Sequence, residues 1–134
     1  MRRPKQKVKK PTRKQELKKY DEKWSKLVKK RAWNKCEVDG CSKTDHLNSH
    51  HIFSRNNYAT RFDLDNGVCL CVGHHTFNSH FSAHKTPTEF SEWIISKRGQ
   101  KWYEGLKYKA NQIRDKDVDK IKIYLENKEK ELWD

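Results

Sequence analysis

All four cysteines (Cys36, Cys41, Cys69, Cys71) and all seven histidines (His46, His50, His51, His74, His75, His80, His84) of this 134-residue chain lie between positions 36 and 84. A disulfide scaffold has no use for histidine, whereas thiolate and imidazole together are the donors that zinc selects. Two close pairs stand out: Cys36-x4-Cys41 and Cys71-x2-His74. Each pair fits on one turn, and two such turns close a tetrahedron around Zn2+. Cys69 is left outside this set, because two intervening residues suit a knuckle and because Cys69 and Cys71 should share one side of a strand. The competing reading is a group of buried thiols without a ligand.

A structural zinc leaves part of the chemistry unexplained. Ser49-His50-His51-Ile52-Phe53 is followed by Asp65-Asn66-Gly67 and then by Leu70-Cys71-Val72-Gly73-His74-His75. This series resembles the HNH endonucleases, the ββα-metal or His-Me finger nucleases, in their zinc-knuckle-bearing form. The interval of 15 residues from His51 to Asn66 and of 9 from Asn66 to His75 is that of the colicin DNases. One departure is His74, where the family usually has Cys. The resemblance covers residues 36–80.

It implies metal-dependent hydrolysis of DNA phosphodiester bonds with 5′-phosphate products. His51 would be the general base that activates water, and His50 and His75 would hold a catalytic divalent ion, Mg2+ or another such as Mn2+. Asn66 would bond across the loop to orient the base. The colicin-type position four residues after His75 is Ser79; His80, one further on, is carried as a candidate third ligand. His46 and His84 are read as surface or turn residues. Neighbouring strand residues point to opposite sides, so His50 and His51 cannot share a task.

The charge pattern agrees with a polyanionic partner. Residues 1–35 hold 16 Lys+Arg and 3 acids, a net of +13, while residues 36–134 hold 15 of each. The whole excess therefore sits in the first quarter, an electrostatic footprint for nucleic acid, the alternative being a localisation signal or a solubilising tail. Arg2, Arg3, Lys5 and Lys7 in the arm, with Arg55 and Arg61 in the loop between the His-bearing strands, are the candidate phosphate contacts. Double-stranded or branched DNA is the expected partner; residues 61–66 weakly resemble lambdoid phage recombination proteins, which favours branched DNA. A non-catalytic zinc DNA-binding module and a ribonuclease are the alternatives. Small members of the family are frequent in phage genomes as homing or DNA-processing enzymes. No apolar run reaches the ~18 residues of a membrane span, and no apolar segment follows the basic start, which predicts a cytoplasmic protein.

The elements that must position these groups make an α+β fold, a ββα-metal core flanked by helices. Residues 1–11 read as a basic disordered arm. Residues 12–35 open on a capping box, Thr12 to Gln15, and continue as an amphipathic helix over about 13–33 through Leu17, Tyr20, Trp24, Leu27 and Val28. The nuclease core, 36–85, should contain short strands at His50–Phe53 and Gly67–Leu70. Two helical turns should follow at His74–Phe81, with Phe77 and Phe81 on one face. In 86–134, Thr86-Pro87-Thr88-Glu89 starts a helix that Gly99 ends. Further helices follow over about 100–113, using Trp102, Leu106 and Ile113, and over about 117–132. These are expected to serve packing or oligomerisation.

Overall fold

The computed structural model describes residues 2–6, 9–112 and 117–133; Lys7 and Ile113, singled out above, lie outside the described residues. The elements, in chain order, are α1 (Arg13–Arg31), β1 (Leu47–His51), α2 (Tyr58–Arg61), a 3-10 turn (Leu64–Asn66), β2 (Gly67–Cys71), a π-turn (Gly73–Phe77), α3 (Pro87–Arg98), α4 (Gln100–Ala110) and α5 (Val118–Trp133).

The capping box is present in both directions: Gln15 N donates to Thr12 Oγ1 and Thr12 N donates to Gln15 Oε1. The apolar face of α1 buries Tyr20, Trp24, Leu27 and Val28, and the helix stops at Arg31, two residues earlier than the periodicity suggests. Trp33 and Asn34 break it by adopting left-handed backbone angles (φ 59° and 52°), and the Trp33 side chain stands in solvent.

β1 and β2 form one antiparallel hairpin in which Leu47 faces Cys71, His50 faces Val68 and His51 faces Gly67. β1 begins three residues before the expected strand and ends at His51; the following residues leave the ladder to start the loop toward α2. Gly67 allows α1 to lie directly on the hairpin, since a Cβ there would overlap the side chains of Val28 and Trp24.

Two cores occupy the two faces of this hairpin. On one, Cys69 joins Tyr20, Trp24, Leu27 and Val28 of α1, Phe62, Leu64 and Leu125 of α5. On the other, Val68 and Leu70 pack with Cys36, Cys71, Ala83 and with Phe90 and Ile94 of α3. The alternation from 68 to 70 is the strand period. Cys71 breaks it, contrary to the expectation that Cys69 and Cys71 share a side. The strand ends there, and Val72 already has helical angles (φ −57°, ψ −34°), so the chain swings Cys71 toward Cys36.

α3 starts after Thr86 and stops at Gly99 (φ 102°). Thr86 occupies the cap position without capping: its hydroxyl accepts from Ser82 N and donates to Ser82 O. α4 ends at Ala110, and α5 packs along α1 with Leu125 fully buried. Both C-terminal helices converge on Asp63. Tyr124 Oη donates to Asp63 Oδ1 (3.1 Å) and accepts from Leu64 N (3.0 Å), and Lys109 pairs with the same carboxylate. These helices are therefore packing elements that brace the segment entering β2. Among the described residues no helix is long and apolar enough to cross a membrane.

Candidate metal centres and the residues around them

Cys36, Cys41, Cys71 and His74 each bring a donor atom to within 4.8 Å of the others. The first two sit on a turn closed by Cys41 N donating to Val38 O and opened to left-handed angles at Gly40 (φ 78°). That turn is tied to β2 by Glu37 N to Cys69 O and by Cys69 N to Glu37 Oε2. His74 Nδ1 lies 3.5 Å from Cys36 Sγ and 3.2 Å from Cys71 Sγ. Ordinary Zn–S and Zn–N bonds at tetrahedral angles separate such atoms by ~3.6 Å, so the residues fit a zinc ion.

The electrostatics agree. Burial pushes the Cys36 thiol up to about 12. At Cys71 burial acts in the same direction, but the backbone N–H of His74 and the neighbouring thiols outweigh it and lower the thiol's pKa. Thiols held protonated by desolvation become thiolates when a dication supplies the missing charge. Cys69 stays outside the group, as expected, buried on the α1 side, where desolvation and Glu37 push its thiol up to about 11.

A second group joins His50 of β1, His75 of the π-turn and His84 of the following loop, again with one nitrogen each within 4.8 Å. The Nε2 atoms of His75 and His84 are 3.0 Å apart, close to the ~3.3 Å between two nitrogens on one tetrahedral ion. Burial, then the nearby His75, His84 and His51, push His50 down to about 3. His75 is lowered by burial and by His84. Three imidazoles with one nitrogen each brought this close together could hold a single cation. The edge of Phe90 closes the group from α3, its ring centroid 5.2 Å from that of His50.

His84, and not His80, lies with His50 and His75; it is at the same time an exposed turn residue, as expected. The stretch after His74 makes one π-turn ending at Phe77 and not two helical turns, so His80 stands exposed outside both groups. Phe77 is solvent-exposed, while Phe81 packs against Phe90 and Trp93, so they share no face. The chain then doubles back, with Ala83 N donating to His74 O and His84 N to His75 O, and this delivers the His84 ring. The signal was local: Asn78, Ser79, Ser82 and Thr86 all compete for backbone hydrogen bonds and favour turns over helix. His46 is an exposed turn residue (φ 48°), as expected.

His51 occupies the other face of the hairpin. Its ring stacks on Trp24 at 3.9 Å with an interplanar angle of 8°, and Nε2 donates to the Arg61 carbonyl at 2.9 Å. Trp24 is itself fixed by Nε1 donating to Asp63 O. The tautomer that serves the Arg61 carbonyl carries its proton on Nε2 and its lone pair on Nδ1. Burial lowers the pKa of His51, opposed by the Arg61 carbonyl and Asp21.

Asn66 is fully buried and grips the far side of the loop: Oδ1 accepts from Phe53 N (2.7 Å) and Nδ2 donates to Phe53 O (3.0 Å). These bonds span the loop and close the segment that carries the Arg61 carbonyl. Arg61 and Arg55 both meet Asp21. Arg61 binds it through Nε (2.9 Å) and Nη2 (2.5 Å), and Arg55 by a single contact of 3.3 Å. Arg2, Arg3 and Lys5 are exposed and lie outside any helix or strand.

No family model matches the chain, and no curated protein or solved structure matches it. The molecule is a small α+β protein with a Cys3His group consistent with structural zinc and a histidine triad able to hold a metal ion.

Proposed function

We propose that this protein is a divalent-metal-dependent endonuclease that hydrolyses DNA phosphodiester bonds. The observation that carries the reading is the division of work between consecutive residues of β1. His50 points into the histidine triad, while His51 is held by Trp24 and the Arg61 carbonyl with its basic Nδ1 left for chemistry. A purely structural metal site has no use for an imidazole oriented in this way.

In this scheme His51 Nδ1 takes a proton from water, and the resulting hydroxide oxygen bonds to phosphorus as the bond to the 3′ oxygen breaks. The lowered pKa of His51 keeps it unprotonated at neutral pH, ready to act as a base. A divalent ion on His50, His75 and His84 would supply positive charge to the phosphoryl and departing oxygens. Three imidazoles suit Zn2+ or Ni2+ better than Mg2+, which prefers oxygen donors and water. The donor set therefore favours a softer ion than the Mg2+ or Mn2+ that the resemblance brings. The basic arm and the solvent face of α1 supply affinity for the polyanion through counterion release.

The test is cleavage of supercoiled, linear and branched DNA, and of matched RNA, by wild-type and His51→Ala protein. The variant should lose cleavage at least 100-fold while keeping DNA binding and zinc content. Full activity in a clean His51→Ala preparation would sink the assignment of His51 as the base, and no cleavage by the wild-type protein with any divalent ion would sink the nuclease reading.

A further inference from the structure

A cleft of about 460 Å³ opens between the first three turns of α1 and the segment that contains α2. Arg13, Lys14 and Lys18 reach it from the helix, Arg55 and Arg61 from the segment, and Asp21 is the one carboxylate among the described residues that line it. The helical contributors recur at positions 13/14, 17/18 and 21, one stripe of α1. Five cations around one carboxylate leave the cleft strongly positive, and its volume is that of a nucleotide-sized ligand.

Arg61 has two duties. Its guanidinium lines this cleft, and its carbonyl accepts the His51 hydrogen bond, so cleft and base are joined through one residue. The two arginines are also held unequally. Arg61 makes two bonds to Asp21, donates Nη1 to Tyr58 Oη (3.0 Å), and its side chain is 11% exposed. Arg55 makes one long contact with Asp21 and its side chain is 61% exposed. Arg61 is thus a fixed brace, while Arg55 can turn from Asp21 to a stronger anion without disturbing the fold.

We propose that this cleft seats a backbone phosphate of the DNA strand beside the bond to be cut, gripped by Lys14, Lys18 and Arg55, with Leu17 and Tyr58 as the wall for the attached sugar. The ligand class rests on the nucleic-acid reading above; the site itself stands on the cleft and its charges. Placing the grip next to the base sets where a strand lies relative to His51.

The experiment measures binding by the zinc-loaded full chain to a short duplex across a salt series, comparing the Lys14→Ala/Lys18→Ala pair with a control pair, Lys107→Ala/Lys122→Ala. Both pairs remove two exposed charges from helices. The cleft pair should weaken binding about tenfold and reduce the log–log salt slope by about 2, the value for two lost phosphate contacts. Arg55→Ala should weaken binding with an unchanged melting temperature. Equal losses in the control pair would show a bulk-charge effect and overturn the site, as would unaltered binding in Arg55→Ala. Amide shifts of residues 14, 18 and 55 on titrating a 5′-phosphorylated oligonucleotide support the strand assignment; shifts with inorganic phosphate alone, and none with the oligonucleotide, overturn it. Cleavage does not enter these readouts. If the wild-type protein cuts no DNA with any divalent ion while the cleft pair loses binding, the nuclease reading fails and the cleft survives.

Discussion

Replacing Asn66 tests whether the loop between the hairpin strands is clamped by one buried side chain. In Asn66→Ala two hydrogen bonds to Phe53 vanish, and the N–H and C=O of that half-buried residue lose their partners. Each such loss costs about 1 kcal/mol net, and somewhat more where water cannot replace the partner, so about 2–3 kcal/mol is expected. With a urea slope of about 1.5 kcal/mol/M for a chain of this size, the midpoint should fall by about 1.3–2 M, read by tryptophan fluorescence on zinc-loaded protein. Asn66→Asp keeps the shape but turns an oxygen toward the Phe53 carbonyl, 3.0 Å from the amide nitrogen it replaces. Burial and that carbonyl raise the folded-state pKa of the new acid above the ~3.9 of an unfolded chain. The sign follows: the protonated acid can donate as the amide did, so its stabilising contribution is complete below pH ~4 and is lost as pH rises through the folded value. The stability gap between Asn66→Asp and wild type should therefore widen from pH 5 to pH 8. A midpoint change below about 0.3 M for Asn66→Ala, or a gap that stays flat with pH, would refute the clamp.

Two further outcomes follow from the metal groups. His84→Ala should weaken binding of the second divalent ion at least tenfold by calorimetry, whereas His80→Ala should leave it unchanged, because only His84 sits with His50 and His75. Chelation of zinc should lower the melting temperature and expose Cys36, Cys41 and Cys71 to alkylation while Cys69, buried against α1, reacts last; simultaneous labelling of all four would place Cys69 wrongly.

Much of the molecule was legible where chemistry or local pattern acts alone. The Cys3His set was readable from spacing because each pair fits one turn, and α1 was readable from its capping box and apolar period. Asn66 and His50 were picked out by the intervals of the family resemblance and not by any local pattern. What escaped was mostly tertiary. The turn-forming residues from Asn78 to Thr86 signal that the helix stops, but where the returning chain carries His84 is set by its bonds to His74 and His75. Cys71 leaves the strand pattern because β2 ends at that residue, which spacing cannot indicate. Arg55 and Arg61 looked equivalent as loop cations; their difference depends on Asp21, more than thirty residues away in sequence.

Gly67 has a consequence for how this chain can be cut or grafted. The missing side chain lets Trp24 and Val28 settle against the strand opposite His51, so the helix that carries the positive charge is also the wall behind the imidazole. A truncation that starts after residue 35 would shed more than positive charge: it strips the support from His51 and bares Cys69 and Leu64. The solvent side of α1 can be rewritten without touching the hairpin, while its inward side belongs to the hairpin; under the proposed function, affinity and chemistry are separable along this helix only by which way a residue points.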